Sequence, residues 1–182
     1  MKNILFLFVI STFLLTSCKN MEDNKKEVPS IDKAVAVLQP INGSNVSGVV
    51  YFKEEGGTVE VVADVKGLAP GEHGFHIHTY GDLREKDGSL TDGHYNPTNT
   101  KHGGPTTEER HVGDLGNIHA LDDSTAQFDQ DRFAFTINGV NAILGRAVVI
   151  HAGKDDFTSQ PSGNSGTKIA VGIIGIANTE LK

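Results

Sequence analysis

Short apolar runs separated by turn residues make up this chain from about residue 34 onward, and none of these later segments shows helical periodicity. Within Val59–Val65 every second residue is valine or alanine, so these side chains share one face of an extended strand, although Val62 interrupts strict alternation. The pair Gly56-Gly57 before this run is a tight-turn signal. The 21 glycines and the absence of tryptophan fit many turns around a β-branched core. The pattern predicts an all-β sandwich or barrel.

The predicted strands are joined mostly by short turns, but two connections are long. Strands are predicted at Ala34–Leu38, Val46–Phe52, Val59–Val65, Gly74–Thr79, Ala126–Asp129, Ala147–His151 and Ile169–Ile176. The segment from Gly81 to about Val112 is rich in Gly, Pro, Asn, Asp and Thr, and Gly153–Thr167 is similar but shorter. Long loops without secondary structure inside a compact domain are usually functional. We therefore predict a site built on these two loops.

The N-terminus has the features of a lipoprotein signal peptide. Lys2 precedes the apolar run Ile4–Leu15, which is too short for a membrane span of about 20 residues. The residues Leu-Thr-Ser-Cys at 15–18 resemble the lipobox of bacterial lipoproteins, in which cleavage precedes a cysteine that then receives lipid. An ordinary secretory signal with an incidental cysteine is the alternative. Cys18 is the sole cysteine of the chain, which favours lipidation.

These features divide the chain into three parts. Residues 1–17 are the predicted signal peptide, 18–30 a charged, flexible tether, and 31–182 one domain of ordinary size. The protein is then expected outside the cytoplasm. We expect it to be anchored through lipid on Cys18 to a bacterial membrane, on the periplasmic or the cell-surface side.

The charge of the chain excludes one class of partner. The formal net charge is −7, and loss of Lys2, the sole charged residue of the signal peptide, lowers it to −8. A nucleic-acid binder would need a basic face, so we expect no nucleic-acid partner. A small anionic substrate is still compatible with this charge, because the local field in a cleft can oppose the net charge.

Six histidines and one aspartate lie at spacings that suit metal binding. His76 and His78 alternate in a predicted strand, so both imidazoles point to the same side, although this pattern alone is more often a surface pair without metal. His151 ends another apolar strand. The long loop adds three imidazoles and a carboxylate, a donor set that suits tetrahedral zinc. These loop residues are His94, His102, His111 and Asp114.

Five motifs in order resemble the copper/zinc superoxide dismutase family. They are GFHIH at 74–78, YNP at 95–97, KHGGP at 101–105, ERHVGDLGN at 109–117 and GIIGIA at 172–177. The similarity runs from about Ala34 to Ala177. It implies a Greek-key β-sandwich or flattened barrel of about eight antiparallel strands, with a long metal-binding loop and a shorter second loop. It also implies copper and zinc as cofactors and superoxide as the substrate, which is converted to oxygen and hydrogen peroxide. A homodimer is one candidate for the assembly.

The resemblance also implies a role for each ligand. The family's copper ligands fall on His76, His78, His94 and His151, and its zinc ligands fall on His94, His102, His111 and Asp114. His94 is then a shared imidazolate, a role that the two opposed nitrogens of histidine allow. Asp155 matches an aspartate that links a copper-ligand histidine to a zinc-ligand histidine. His73 matches a structural histidine of the barrel, and His119 matches no ligand.

Two positions depart from the family. The usual disulfide between the long loop and the last strand has no counterpart, because the loop around Asp87 lacks cysteine and Val171 occupies the other position. Such a crosslink typically contributes about 2–4 kcal/mol, so its absence predicts a more mobile Leu83–Thr91 segment in the metal-free protein. Lys168 replaces an arginine beside the copper, which keeps the charge that attracts superoxide but loses the planar fork of donors. The resemblance thus implies catalytic roles for His94 and Lys168.

A non-catalytic copper or zinc binding lipoprotein, which buffers or delivers metal, is the alternative function. The missing disulfide and Lys168 favour this alternative. A shared imidazolate at His94 opposes it, because a metal buffer has no need of a bridging ligand. Superoxide turnover, as opposed to metal exchange with an acceptor, separates the two hypotheses.

Overall fold

Strands dominate the part of the chain that the structure describes. The computed structural model describes residues 31–133 and 135–178. The strands are β1 (Lys33–Pro40), β2 (Ser47–Glu55), β3 (Thr58–Lys66), β4 (Gly71–His78), β5 (Asp114–Ala120), β6 (Thr125–Phe133), β7 (Ala147–His151), β8 (Lys168–Ile173) and β9 (Gly175–Ile176), with one short 3-10 helix at Ser89–Thr91. The predicted signal peptide and tether, with Cys18, lie outside the described residues. Across the two described ranges, no helix has the length and apolar character needed to cross a membrane.

Eight of the strands close into an antiparallel barrel. Neighbouring strands follow the order β1-β2-β3-β6-β5-β4-β7-β8, and β8 pairs with β1 to complete the circle. The two-residue strand β9 pairs with the first half of β1. The chain leaves β3 for β4, and β6 for β7, without pairing those strands, which is a Greek-key connection. The predicted all-β Greek-key fold is confirmed.

Alternate strand residues fill the barrel interior. The predicted inward face of β3 is at most 4% exposed at each of its four positions, Val59, Val61, Ala63 and Val65. Phe75 of β4 meets Phe128 of β6 edge to face, with ring centroids 5.1 Å apart. Full burial of an apolar side chain of this size contributes about 1.5–3 kcal/mol. The interior therefore provides the rigid wall on which the site is built.

Strand β4 is buried on both faces, unlike an ordinary barrel strand. Phe75 and Ile77 point into the barrel core and are fully buried. His76 and His78, on the opposite face, are also buried, with 0% and 2% of their surface exposed. The two long connections cover this outer face. The outer face of β4 is consequently the floor of a buried polar site.

Strand β5 lies where the sequence analysis predicts no strand. Its pairing with β4 shifts register between Phe75 and His76. Gly116 within β5 has φ 101°, a left-handed conformation that suits glycine. Both irregularities disturb the two-residue alternation by which a strand is recognised in sequence. The observed strand places Asp114, its first residue, directly beside the histidines of β4.

Candidate metal centre

Two adjacent strands supply the first three imidazoles of the centre. Strand β7 runs antiparallel to β4 and pairs His76 with Val149 and His78 with Ala147. β7 ends at His151, whose Nε2 lies 3.3 Å from Nε2 of His78. The spacing of His76 and His78 thus fixes their shared face, and strand pairing brings His151 to the same place.

Backbone hydrogen bonds bring the long loop back onto β4. The amide of Tyr95 donates to the carbonyl of Ile77 at 2.8 Å, and the amide of Gly113 donates to the carbonyl of Tyr95 at 2.9 Å. The preceding residue, His94, forms an isolated antiparallel bridge with His78. The loop is therefore attached to the strand at the residue that carries its first imidazole.

The predicted ligands form two buried groups that share His94. The all-histidine group contains His76, His78, His94 and His151. The aspartate-containing group contains His94, His102, His111 and Asp114. In each group the potential ligand atoms lie within 4.8 Å of one another. The structure thus brings together all seven residues that the sequence analysis names as metal ligands.

The carboxylate of Asp114 organises the second group. Its Oδ1 lies 2.8 Å from Nδ1 of His94 and 3.0 Å from Nδ1 of His102. Its Oδ2 accepts the backbone amides of Gly103 and His111, at 3.1 and 2.9 Å. Both oxygens are fully buried, so the backbone donors fix the direction of the carboxylate without relying on solvent.

Three buried ring nitrogens lack hydrogen-bond partners among the described residues, and they show that the centre fits metal ions. They are Nδ1 of His76, Nε2 of His94 and Nδ1 of His111. The last lies 3.3 Å from Oδ1 of Asp114 without the angles of a hydrogen bond. A buried polar atom without a partner typically costs about 1–3 kcal/mol. Imidazole nitrogens suit copper and zinc, and the set with one carboxylate suits zinc.

Asp155 joins the two groups from the second loop. Its Oδ2 accepts a hydrogen bond from Nε2 of His76 at 2.7 Å, and its Oδ1 accepts one from Nε2 of His102 at 2.9 Å. A proton on each of these nitrogens makes the opposite nitrogen, Nδ1, the potential ligand of each ring. Nδ1 of His76 has no partner among the described residues, whereas Nδ1 of His102 contacts Asp114. Asn117 fixes the backbone of Asp155 by accepting its amide at 2.8 Å and donating to its carbonyl at 2.9 Å. A Cβ at Gly163 would collide with this carboxylate and with the His102 ring.

Comparison with known proteins identifies the family. A model of the copper/zinc superoxide dismutase family matches residues 46–174. The extracellular superoxide dismutase [Cu-Zn] of Brugia pahangi is 39% identical over 173 residues, which span 87% of this chain and 85% of that protein. This chain belongs to the copper/zinc superoxide dismutase family. The crystal structure of the clock protein EA4 superposes with a TM-score of 0.75 at 36% identity, over 82% of this chain and 98% of that one.

Burial keeps the all-histidine group of this superoxide dismutase family member ready for a cation. Desolvation lowers the pKa of His76 to about 3 and that of His151 to about 4. It also holds the pKa of His78 well below the ordinary value. These rings are therefore neutral near pH 7, and a neutral imidazole is the form that binds metal.

In contrast to the neutral rings of the all-histidine group, the aspartate-containing group holds charged side chains. Burial opposes ionisation of Asp114, but the hydrogen bonds with His102 and His94 and the close approach of the His111 ring outweigh it and hold the pKa of Asp114 well below its usual range. Burial also opposes charge on His102, yet the carboxylates of Asp114 and Asp155 raise its pKa to about 9. A cation entering this group must displace a proton from His102, so its binding depends on pH.

Lys168 lies beside the all-histidine group, but its ammonium faces the long loop. Each of its three N–H donors has an acceptor: the carbonyl of Gly88 at 3.0 Å, the hydroxyl of Thr91 at 2.9 Å and the carbonyl of Asp92 at 2.9 Å. Partial burial lowers the pKa of Lys168, while the nearby Asp92 and Asp87 oppose this shift. The charge remains available to attract an anion, whereas the donors are already used within the protein.

The remaining two histidines lie outside both groups. His73 is buried and contacts the carbonyls of His151 and Ala69 at 2.9 and 2.8 Å, so it connects the end of β7 to the loop before β4. His119 is largely exposed, and its Nδ1 lies 3.0 Å from a carboxylate oxygen of Glu72. Neither residue adds an atom to the metal centre.

Three polar residues that position the ligands are not predicted from the sequence. Asn117 fixes Asp155, and Thr91 contacts Lys168. Gln160 fixes His102 by accepting its amide at 2.9 Å and donating to its carbonyl at 3.0 Å. Thr91, Asn117 and Gln160 are ordinary loop and strand residues by sequence, and no spacing rule distinguishes them.

Proposed function

We propose that this protein is a superoxide dismutase that uses copper and zinc outside the cytoplasm. The observation that carries the proposal is the His94 ring, which belongs to both ligand groups. Its Nδ1 lies 2.8 Å from Asp114, and its Nε2 is buried without a partner. Family membership and the name of the Brugia pahangi relative support the activity.

The two groups of ligands hold different cations in this proposal. His76, His78, His94 and His151 hold copper, and His94, His102, His111 and Asp114 hold zinc. Copper supplies the one-electron redox change when it is bound, while zinc keeps a constant charge that stabilises the loop. The Asp155 carboxylate fixes the tautomers of His76 and His102, so that each ring presents a lone pair to its own cation.

The reaction also requires a proton carrier. Two superoxide anions and two protons give one oxygen and one hydrogen peroxide. With copper bound to carry the electron, His94 would take a proton from water on Nε2 as the first superoxide is oxidised, and would pass that proton to the second superoxide as it is reduced. Water supplies the other proton. Nδ1 of His94 stays on the Asp114 side, so the ring keeps its position while Nε2 changes its partner.

Lys168 contributes attraction in this mechanism. The chain is acidic overall, with a formal charge of −7, so an anionic substrate needs a local positive field. A half-buried ammonium beside the copper ligands provides such a field. Because its three donors are engaged by the loop, Lys168 acts through its charge and not through a hydrogen bond to superoxide.

The test is superoxide decay by purified protein loaded with copper and zinc. We expect rapid catalytic decay from the wild type and from His119→Ala, which removes an exposed histidine outside both groups. We expect His94→Ala to lose nearly all activity, because it removes the shared ligand and the proton carrier. A wild-type protein with both sites filled and no catalytic decay would refute the proposal.

A metal-binding protein without catalysis is the second candidate. The observation that favours it is the engagement of all three Lys168 donors by the loop, which leaves none to orient a substrate. This candidate predicts transfer of copper to a competing chelator on a biological time scale, with no superoxide turnover. The superoxide dismutase proposal predicts slow copper release and rapid turnover.

We further propose that the protein is anchored outside the cytoplasm through lipid on Cys18. The sequence 15–18 and the extracellular relative support this location. The test is incorporation of a labelled fatty acid in cells that express the full chain. Cys18→Ser should abolish both the label and the membrane association. Equal labelling of this variant would exclude Cys18 as the lipid site.

Self-association is the third part of the proposal. Tyr80, Leu90 and Ile173 expose 56%, 37% and 44% of their surfaces. Tyr80 and Leu90 line one groove with the neighbouring Gly81, and Gly81 lies against Ile173. A homodimer that covers this groove would bury these apolar side chains. Analytical ultracentrifugation should give a dimer for the wild type and a monomer for Tyr80→Glu.

A further inference from the structure

The segment Asp87–Asp92 runs beside the all-histidine group without a covalent attachment to the barrel. The sole cysteine of the chain is Cys18, so no disulfide can fix this segment. Within it, the amide of Thr91 donates to the carbonyl of Gly88, and the amide of Asp92 donates to that of Ser89, each at 3.2 Å. These local bonds shape the turn but do not attach it to any strand. One backbone bond, from the amide of Tyr80 to the carbonyl of Thr91 at 3.1 Å, holds the segment close to the end of β4. Attachment to β8 comes from side chains.

Lys168 provides the main attachment. It is the first residue of β8, and it pairs with His151 on the adjacent strand β7. Its ammonium donates to Gly88 O, Thr91 Oγ1 and Asp92 O, at 3.0, 2.9 and 2.9 Å. An ammonium has three protons, so all of its hydrogen-bonding capacity goes to this one segment.

Thr91 is the centre of the contact. It is fully buried, although its side chain is polar. The hydroxyl accepts from Lys168 at 2.9 Å and donates to the carbonyl of Gly88 at 2.9 Å, so both functions of the hydroxyl are satisfied. It also lies 3.4 Å from Nδ1 of His78. Thr91 is thus the one side chain of the segment that contacts both Lys168 and a ligand of the all-histidine group, among the contacts of the described residues.

Asp92 adopts a backbone conformation that only glycine adopts readily. Its φ is 63° and its ψ is −150°, a region that costs about 1–3 kcal/mol for other residues. This conformation directs its carbonyl to two donors, Lys168 Nζ at 2.9 Å and Nδ1 of His78 at 2.6 Å. The bond to Nδ1 leaves Nε2 of His78 facing Nε2 of His151. The strained carbonyl therefore sets both the tautomer and the direction of the His78 ring.

Further contacts hold the outer end of the segment. The amide group of Asn42, in the turn between β1 and β2, donates to the carbonyls of Asp87 and Lys168 at 3.1 and 2.9 Å. An apolar contact lies beneath it, where Ile41 and Leu83 pack on a small cluster of buried residues. That cluster consists of Ala147, Val149 and Val171.

We infer that Thr91 is a positioning residue, which together with Lys168 and Asn42 forms a hydrogen-bonded clasp that attaches the Asp87–Asp92 segment to β8 and orients the His78 ring. The clasp takes the place of a covalent crosslink. The attachment of the segment is independent of bound metal, whereas the orientation of His78 matters for copper and rests on the proposed function. The clasp also limits the mobility that the missing disulfide predicts for Leu83–Thr91.

The first test measures hydrogen exchange of the metal-free protein. Thr91→Val replaces the hydroxyl with a methyl group of similar size and should speed exchange of the 87–92 amides by about tenfold, because two buried hydrogen bonds are lost. Thr91→Ser keeps the hydroxyl and should restore slow exchange. Thr136→Val, which removes a hydroxyl bonded to Val140 O in a loop away from the site, is the control. Unchanged exchange in Thr91→Val would overturn the clasp. If that variant does not fold, Asn42→Ala at the exposed end of the clasp should still speed exchange near Asp87.

The second test records the electron paramagnetic resonance spectrum of the Cu(II)-loaded protein and its copper affinity against a chelator. We expect Thr91→Val to shift the copper hyperfine splitting and to weaken copper binding by about tenfold, with Thr91→Ser close to wild type. Faster exchange with an unchanged spectrum and affinity would overturn the role in orienting His78. A wild-type protein without a specific copper spectrum would refute the proposed function, and the exchange comparison would still decide whether the clasp exists.

Discussion

Replacement of Asp155 by asparagine should weaken copper binding far more than zinc binding. The carboxylate accepts three hydrogen bonds: from Nε2 of His76 on Oδ2 at 2.7 Å, and from Nε2 of His102 and the amide of Phe157 on Oδ1 at 2.9 and 2.7 Å. An asparagine has one carbonyl oxygen and one amino group. The oxygen satisfies the side with two donors, His102 and Phe157, so the amino group faces His76.

The consequence for His76 follows from its tautomer. An amino group opposite Nε2 requires that nitrogen to accept, so the ring proton moves to Nδ1. Nδ1 of His76 is the buried, unpartnered atom that the proposed copper site uses. Keeping Nε2 protonated instead would leave two buried donors facing each other, at a cost of about 1–3 kcal/mol. Either route weakens the copper site by about tenfold to a hundredfold, since 1.4 kcal/mol is a factor of ten.

The assay is copper and zinc affinity by competition with chelators, for wild type, Asp155→Asn and Asp156→Asn. The last is a matched control, because Asp156 is the adjacent exposed acid and bonds only to Ser159 and Thr158 among its side-chain contacts in the described residues. We expect Asp156→Asn to match wild type. A copper affinity of Asp155→Asn within about threefold of wild type would show that the Asp155 carboxylate does not select the His76 tautomer.

Three further predictions concern charge, pH and the second loop. Lys168→Arg should raise the superoxide decay rate, because a guanidinium keeps the charge and has five N–H donors, more than the three that the loop uses. Lys168→Ala should lower the rate and weaken its salt dependence; equal salt dependence in all three proteins would contradict the role of charge. The metal-free protein should be most stable to urea near pH 6.5. In the folded protein the pKa of His76 is lowered to about 3 and that of His151 to about 4. Below pH 6.5 each of these rings therefore takes up a proton when the protein unfolds, and each lowers the free energy of unfolding by up to about 1.4 kcal/mol per pH unit. Above it, the stabilisation from His102, with a pKa raised to about 9, is lost as the pH rises through 9; a flat profile from pH 5 to 9 would contradict these shifts. Gln160→Leu should speed zinc release by about tenfold, because two hydrogen bonds to the His102 backbone are lost. An unchanged release rate would show that Gln160 does not hold His102 in position.

Local patterns were sufficient for much of the fold. The alternation in Val59–Val65 predicts the inward face of β3, and the four alternate positions are buried. The same two-residue period predicts that His76 and His78 share a face, as they do. Strand β5 is not predicted by this period, because a register shift opposite His76 and the left-handed Gly116 interrupt the alternation.

Residue types and short spacings along the chain are sufficient to predict the family, the all-β barrel and the set of seven candidate ligands. The orientation of these ligands depends on contacts that exist only in the folded protein. Asp155 and His76 are 79 residues apart, and Lys168 and Thr91 are 77 apart. Such contacts arise where separate loops meet over one strand, and the Asp92 carbonyl depends on a backbone angle that no residue pattern specifies. Ring tautomers and loop attachment therefore belong to the folded state alone.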